Sequence, residues 1–406
     1  MANSKRGAKF ASRIAVIGLL LLPGADAAAH PQPRNSLSKA YSFLAERMDR
    51  YARGGTLRLV QSYVPTVTFS NGDVSYTYDD DVLLIALLAR GTPDDLARAR
   101  VLGDSLLFVQ QHDPLADGRV RAAYHARHLT KHNGAPNIAG SAANTGNLAW
   151  TALALAQLYR TTGEQKYISA AIAIADFVQT NTFDTRGAGG YTGGFRSDGH
   201  KITYKSTEHN IDLYGLFTIL AQLTGRQDWS DHAQHALHFV RAMWNRRGNF
   251  FYIGTVDDGV TINKEDPTPE DVQTWSYLSA GLARYQSSID WAVENLSAIE
   301  GGFEGLSFEV NDRSGVWFEG TAHAADALQA RNLSGDAKTA AQLLADIEAG
   351  QEQAPNANGK GIDAASKDGL DTGEGDQYFA SLHIGATAWY CLAKQTVNPF
   401  VLLPQR

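Results

Sequence analysis

The chain has 406 residues, of which 19% are charged and 44% are hydrophobic, with a formal net charge of −7. An acidic chain without a basic cluster argues against nucleic acid and anionic membranes as partners. The single cysteine, Cys391, excludes an intramolecular disulfide, so the fold must depend on a large hydrophobic core.

The first 27 residues have the pattern of a secretory signal peptide. Four basic residues precede the short apolar run IAVIGLLLLPGADA, and a small-x-small cleavage site ends at Ala27. Removing residues 1–27 takes away four positive charges and one negative charge, which leaves a net charge of −10. No later apolar run approaches transmembrane length. We therefore expect an exported protein, periplasmic or extracellular, with a single domain over residues 28–406.

A helical hairpin repeats along the rest of the chain. The segment SLSKAYSFLAERMDRYA predicts an amphipathic helix with Ser36 as its N-cap. Six helices rich in Ala and Leu follow, and five of them precede a second helix with a polar face. The six begin near Asp79, Gly146, Glu208, Glu270, Glu319 and Gly385.

This alternation predicts an all-α fold, an (α/α)6 toroid. The first helices are apolar nearly all round and should be buried, whereas the second helices should form an outer layer. An open helical solenoid is the competing architecture, but the N-terminal helix supplies the missing partner of the last one and favours a closed ring. The connections from outer to inner helices are long, which places them all on the face that holds the inner-helix N-termini.

Polar and aromatic side chains gather at these inner-helix starts. Each acid taken alone could be an ordinary first-turn acid, favoured by the helix dipole. Together, carboxylates interleaved with amides and aromatic rings suit a carbohydrate, whose hydroxyls accept and donate hydrogen bonds and whose C–H faces stack on rings. The candidates are Tyr78, Asp79, Asp80, Asp81, Asn147, Trp150, Glu208, His209, Asp212, Asp271, Gln273, Trp275, Trp317, Glu319, His323 and Trp389.

Other chemistries find less support. The sequence has no nucleophile elbow, no phosphate-binding glycine loop and no paired-histidine zinc motif. The segment DTGEGDQY could bind calcium, but it lacks the EF-hand pattern. We expect no cofactor and no metal, and a monomer that takes a carbohydrate as its partner.

The motifs YDDD, STEHNIDLY, EDVQTW, GVWFEGTA and ATAWYCLAKQTVNPF resemble those of the six-hairpin glycosidase superfamily. The resemblance covers nearly the whole mature chain and implies a cleft across the inner-helix N-termini, with an acid–base pair at its rim. In one branch, the endo-α-mannanases, adjacent aspartates at an inner-helix start carry catalysis. Asp79 and Asp80 are similar to that pair, but the surrounding residues do not match closely enough to imply mannan specificity.

Toroids of this kind also host other activities. Sugar epimerases of the same shape use paired histidines, a role open to His209, His323 and His383, and polysaccharide lyases use Asn, His and Tyr. Lyases usually need a basic cleft for uronic acids, which an acidic rim does not provide. A non-catalytic glycan-binding protein is the remaining alternative.

The working hypothesis is a hydrolase that cleaves a neutral poly- or oligosaccharide, with endo action expected. Glycoside hydrolysis needs one carboxylic acid and one carboxylate. We assign Glu208 as the general acid and Asp79 or Asp80 as the base or nucleophile, with Glu319 as a competitor for either role. Asp212 would tune the acid, and Asp271 would do the same or bind a hydroxyl. The four tryptophans are candidate stacking platforms for sugar rings, with a core position as the alternative for at least one of them.

Overall fold

The computed structural model describes residues 33–53, 56–265, 268–373 and 375–404. The predicted signal peptide over residues 1–27 lies outside these ranges, and it stays a prediction together with the single domain over residues 28–406. Short antiparallel strands and a 3-10 helix at Ala283–Tyr285 connect the α-helices. In the described ranges the helices are α1 (Pro33–Asp49), α2 (Thr77–Arg90), α3 (Pro93–Gln111), α4 (Thr145–Thr162), α5 (Gln165–Thr182), α6 (Thr207–Thr224), α7 (Gln227–Ala242), α8 (Glu270–Ala280), α9 (Ser287–Asn295), α10 (Phe318–Arg331), α11 (Asp336–Gln353) and α12 (Ile384–Lys394).

The helices form a closed double ring. Each even-numbered helix packs against the next, and α12 packs against both α10 and α2. The Tyr41 hydroxyl of α1 donates to the Ala86 carbonyl oxygen of α2 at 2.8 Å and accepts a hydrogen bond from the Gln395 amide, just beyond α12, at 2.7 Å. The first helix therefore completes the sixth pair. The predicted (α/α)6 toroid is confirmed, and the open solenoid is excluded.

Burial separates the two rings as the periodicity predicts. Every residue of α2 from Asp79 to Ala89 and every residue of α4 from Leu148 to Leu158 is buried. Outer helices bury one face only; α7, for example, buries Trp229 and Phe239. No helix in the described part of the chain is both long and apolar enough to cross a membrane.

Short turns join each inner helix to its outer partner. Gly91 ends α2 in the left-handed region with φ of 64°, and its N–H bonds to the Leu87 carbonyl at 2.8 Å. Three more inner helices end in the same way, and Asn332 takes this position after α10 with φ of 52°. Helix α1 differs from the prediction, because it begins at Pro33 and Ser36 lies inside it rather than at its N-cap.

The long connections carry small antiparallel sheets, and all of them precede inner helices. In the described ranges the sheets pair β1 with β2 and β2 with β3, β4 with β5 and β5 with β6, β7 with β8, β9 with β10, β11 with β14, and β12 with β13. These connections therefore surround the inner-helix N-termini on one face. The strands are β1 (Val74–Tyr76), β2 (Ala123–His125), β3 (Ile138–Gly140), β4 (Ala143–Asn144), β5 (Gly194–Phe195), β6 (Lys201–Ile202), β7 (Trp244–Asn245), β8 (Phe250–Phe251), β9 (Ser297–Glu300), β10 (Phe303–Leu306), β11 (Ile362–Asp363), β12 (Leu370–Asp371), β13 (Gln377–Tyr378) and β14 (Leu382–His383).

Candidate active site

The three consecutive aspartates of α2 have three different environments. Asp80 is fully buried, and its two oxygens accept hydrogen bonds from Ser75 Oγ at 2.6 Å and from the Val60 amide at 2.9 Å. Asp80 thus anchors the preceding loop and strand to α2. Both oxygens are occupied, so the expectation that Asp80 could act as base or nucleophile does not fit its surroundings.

Asp81 faces the neighbouring inner helix and accepts a hydrogen bond from Thr151 Oγ1 of α4 at 2.8 Å. Burial, followed by the adjacent carboxylates, raises the pKa of Asp81 well above its usual range. Asp79 alone faces the site. Its Oδ1 lies 3.1 Å from Nε2 of His383, and its buried Oδ2 has no hydrogen-bond partner.

Five buried groups from four helix starts alternate as carboxylate and imidazole, and we name them the imidazole–carboxylate chain. Glu270 Oε2 lies 3.0 Å from His323 Nδ1, and His323 Nε2 lies 3.8 Å from Glu319 Oε1. Glu319 Oε2 lies 3.4 Å from His383 Nδ1, whose ring then reaches Asp79. The 3.8 Å separation is an ion-pair contact rather than a hydrogen bond. The other separations are short enough for hydrogen bonds.

The alternation controls the charges of this chain. Burial alone would lower the pKa of both histidines, but their carboxylate neighbours outweigh it and raise the pKa of His323 to about 9 and that of His383 to about 10. Burial would raise the pKa of Glu319, but the two imidazoles outweigh it and lower that pKa to about 2. Near neutral pH Glu319 is therefore a carboxylate that lies between the imidazolium rings of His323 and His383.

His383 occupies the N-cap of α12, where its Nδ1 also lies 3.2 Å from the Ala386 amide nitrogen. Nδ1 cannot accept this N–H and donate to Glu319 at the same time. Because carboxylates flank the ring on both sides, the charged ring prevails, and it donates to Glu319 and Asp79. Tyr63 stacks on the open face of the ring, with centroids 4.2 Å apart.

Tyr78 joins this chain to the aromatic floor of the site. Its hydroxyl donates to Glu319 Oε1 at 2.6 Å and accepts the Trp389 indole N–H at 2.7 Å. The tyrosine is half-buried, so it reaches the site and fixes Glu319 from the α2 side.

A second group of acids, which we name the acid cluster, consists of Glu208, Asp212 and Asp271. Asp212 is fully buried, and neither of its oxygens has a hydrogen-bond partner. Burial, followed by the charges of Glu208 and Asp271, raises the pKa of Asp212 well above its usual range, and the nearby Trp150 indole opposes this shift only weakly. The acid cluster therefore retains a proton at a pH where Glu319 is ionised.

His209 lies beside this cluster. A Cβ added to Gly146 would lie 2.5 Å from His209 Cδ2 and 3.2 Å from Asp212 Oδ2, so α4 approaches both side chains closely. Burial lowers the pKa of His209 to about 4, and its Nδ1 has no hydrogen-bond partner. A cavity of about 290 Å³ opens above Glu208 and His209 and is walled by the loops around Tyr204 and Gly254.

The four tryptophans do not form open stacking platforms. Trp150, Trp275, Trp317 and Trp389 are at most 2% exposed, so the predicted stacking of sugar rings on them does not fit. Three of them surround the His323 ring, with centroid distances of 4.9 Å for Trp275, 5.2 Å for Trp317 and 4.3 Å for Trp389. Half-buried tyrosines, such as Tyr63 and Tyr378, are the aromatic residues available at the rim.

The two amide side chains predicted to bind substrate, Gln273 and Asn147, have different environments. Gln273 is fully buried, and its amide bonds to the Phe251 and Pro269 backbone, so its predicted contact with substrate does not fit. Asn147 is half-buried on the first turn of α4 and stays a candidate.

Glu270 was not predicted from the sequence to be a site residue, although it directly precedes Asp271 in the first turn of α8. In the described ranges no group of three potential ligands could hold a metal ion.

No protein-family model matches this chain, and no curated protein matches it either. Solved structures share the fold. A cellobiose 2-epimerase from Bacillus thermoamylovorans has a TM-score of 0.66 at 12% identity, covering 88% of this chain and 97% of that one. A D-mannose isomerase has a TM-score of 0.64 at 13% identity, covering 90% and 99%.

A family 76 glycoside hydrolase (mannosidase) from Bacteroides thetaiotaomicron has a TM-score of 0.58 at 13% identity, covering 89% of this chain and 97% of that one. Identities this low establish the fold alone. The predicted resemblance to the six-hairpin glycosidase superfamily is confirmed at that level. Hydrolases and sugar epimerases both occur among these similar structures.

Proposed function

We propose that this chain is an exported glycoside hydrolase that acts on a neutral poly- or oligosaccharide. The observation that carries the proposal is the presence of two kinds of carboxyl group at one rim. The acid cluster retains a proton because Asp212 is buried and lies near the charges of Glu208 and Asp271, whereas Glu319 is kept ionised by two imidazoles. Environments that push carboxyl pKa values apart are the requirement for paired acid and base catalysis.

Tyr378 indicates that the two groups face a common space. Burial, and then the charges of Glu319, Asp271 and Asp79 among others, raise the pKa of its hydroxyl well above the usual value. The negative charges of acids from α2, α8 and α10 thus all act on this one hydroxyl. A substrate bonded to Tyr378 would lie between the acid cluster and the imidazole–carboxylate chain.

In the proposed reaction the Glu208–Asp212 pair gives its proton to the glycosidic oxygen as the bond from that oxygen to C1 breaks. Glu208 lines the cavity, and the buried Asp212 is the member of the pair that holds the proton, because burial and then the charges of Glu208 and Asp271 raise its pKa. Asp79 uses its unpartnered Oδ2 either to attack C1 or to take a proton from the attacking water. Glu319 is held by Tyr78 and two histidines, which suits a carboxylate that stabilises positive charge better than one that attacks.

The test is incubation of the protein with a panel of neutral glycans, followed by an assay for new reducing ends. Glu208→Gln should abolish the signal, whereas Asp231→Asn, an exposed acid on α7, should leave it unchanged. Unsaturated products would indicate a lyase. Binding without any product would replace the proposal with a glycan-binding role.

A sugar epimerase is the second candidate, because of one specific observation. His209 is neutral with an unpartnered Nδ1, whereas His383 is charged, so the site holds an imidazole base and an imidazolium acid. An epimerase would incorporate deuterium from heavy water next to the sugar carbonyl without forming new reducing ends. His209→Asn would then abolish activity, whereas a hydrolase would keep part of it.

A further inference from the structure

His323 has no direct part in the proposed reaction, yet it is enclosed on every side. Its ring is fully buried, Nδ1 bonds to Glu270 Oε2 at 3.0 Å, and three indole rings pack around it. Nε2 has no hydrogen-bond partner and has Glu319 Oε1 as its ionic neighbour at 3.8 Å. A buried polar nitrogen in this position needs an electrostatic explanation.

A buried imidazolium is expensive unless charges and polarisable groups replace its water shell. Two features of this site replace it. The carboxylates of Glu270 and Glu319 face opposite nitrogens, and the indoles of Trp275, Trp317 and Trp389 lie within 5.2 Å of the ring centroid. The three tryptophans therefore pack against the histidine ring and exclude water from it.

We propose that Glu270 is a positioning residue that holds His323 as a buried cation beneath Glu319 and thereby fixes the Glu319–His383–Asp79 end of the imidazole–carboxylate chain. Glu270 does not touch the reacting atoms in this role. Its carboxylate fixes the orientation and charge of one imidazole, and the effect reaches Asp79 through two further contacts. Only the kinetic part of this proposal rests on the proposed function.

Other titratable groups face His323 besides Glu270. On its own helix, α10, these are Glu319 one turn before it and the fully buried Asp326 about one turn after it. Burial raises the pKa of Asp326 to about 7, so that group contributes less negative charge near neutral pH. From α2 and α12, Tyr78 and His383 contact Glu319, the neighbour of His323 Nε2. Glu270 is therefore the main partner of its Nδ1.

The decisive experiment compares Glu270→Gln with Glu309→Gln. The amide introduced by Glu270→Gln could still accept the Nδ1 hydrogen bond but would carry no charge. Glu309 is also buried, but its carboxylate accepts hydrogen bonds from the Asn311 and Asp312 backbone amides and is not part of the imidazole–carboxylate chain. Histidine titration by NMR, assigned with His323→Gln, should show the His323 pKa falling by about one to three units in Glu270→Gln. Glu309→Gln should leave it unchanged.

The kinetic readout is a pH profile on whichever glycan the protein cleaves. Glu270→Gln should lower kcat by about 10- to 100-fold with little change in KM, because it displaces a catalytic group without touching substrate. It should also move the alkaline limb of the profile to lower pH, and Glu270→Asp should restore part of both. An unchanged His323 titration and pH profile in Glu270→Gln would overturn the proposal.

The two proposals can fail separately. If no glycan is cleaved, the NMR titration still decides whether Glu270 sets the charge of His323. If Glu270→Gln does not fold, His323→Gln breaks the chain at the next contact and should change the His383 titration. An unchanged His383 titration in that variant would also overturn the inference.

Discussion

The two acidic regions of the site differ in what lies between their carboxyl groups. In the imidazole–carboxylate chain a histidine separates each acid from the next, and Glu319 stays ionised with a pKa of about 2. In the acid cluster no imidazolium intervenes, and burial with two like charges pushes the Asp212 pKa upward. Carboxyl groups at the same kind of helix start thus have a lowered pKa in one region and a raised pKa in the other.

This contrast explains how an acidic rim can remain stable. Three buried acids in the chain are balanced by two histidines, so little net charge is buried there. The acid cluster has no such balance and lowers its energy by keeping a proton. Replacing a carboxyl group by an amide should therefore cost more stability in the imidazole–carboxylate chain than in the acid cluster.

The largest effect is expected within the α2 triplet. Asp79→Asn should lower glycan cleavage by about 10²- to 10⁴-fold, since it removes the carboxylate of the triplet that faces the site beside His383. Asp81→Asn should keep most activity, because Asp81 faces Thr151 rather than the site. Initial rates of reducing-end release at fixed pH, with circular dichroism to confirm folding, measure both. Equal losses in the two variants would contradict the separation of roles.

The next effect concerns the free energy of unfolding. Glu319→Gln should destabilise the protein by about 3–5 kcal/mol, since it leaves two buried imidazolium rings with one partner fewer. Asp212→Asn should change stability by less than about 1 kcal/mol, because the amide replaces a carboxyl that folding already keeps neutral. Urea unfolding at neutral pH measures both values. A larger loss for Asp212→Asn than for Glu319→Gln would reverse the comparison.

The imidazole–carboxylate chain should also make the free energy of unfolding depend on pH in two ranges, one alkaline and one acidic. The His383 pKa rises from 6.5 to about 10 on folding, so its contribution is complete below pH 6.5 and is lost as the pH rises through 10. The Glu319 pKa falls from 4.5 to about 2, so its contribution is present above pH 4.5 and is lost as the pH falls through 2.

His383→Asn keeps an N-cap residue on α12 but removes the titrating ring. Its stability should therefore fall less than that of the wild type between pH 6.5 and 10, as thermal unfolding across that range would measure. A parallel fall in both proteins would show that other groups cause the alkaline loss.

The smallest effect tests the close approach of α4 to the acid cluster. Gly146→Ala would place a methyl group against His209 and Asp212, at a cost of about 1–3 kcal/mol from overpacking. Because His209 must move toward the cavity, KM should rise more than kcat falls. Steady-state kinetics and urea unfolding measure the two effects, and an unchanged KM would show that His209 can move without narrowing the cavity.

The fold was largely predictable from the sequence. The inner helices begin within two residues of the predicted starts, since an apolar run of 11 to 18 residues preceded by a polar loop leaves few alternatives. The hairpins in the long loops were not predicted, because strands of two to four residues are too short to show a period.

The sequence predicted where the site residues lie in the fold, but it did not predict which hydrogen bonds and ion pairs each of them makes. Sequence placed Asp79, Glu208 and Glu319 at one face, but which oxygen of each carboxyl is occupied depends on contacts between distant segments. Asp80 bonds to Val60 and Ser75, which no local pattern indicates. The burial of all four tryptophans could not be predicted, because a position near the start of a helix does not reveal whether the side chain faces the cavity or the core.

The contact between Trp389 and Tyr78 joins residues 311 positions apart, and it links the last inner helix to the first. Contacts of such high sequence separation form late in folding, because the loop entropy must be overcome first. Glu319 thus gains its full set of partners only when α12 docks against α2. A chain in which α12 has not yet docked would hold all the inner helices up to α10 and still lack the contacts that His383 and Trp389 make with Glu319, Asp79 and Tyr78.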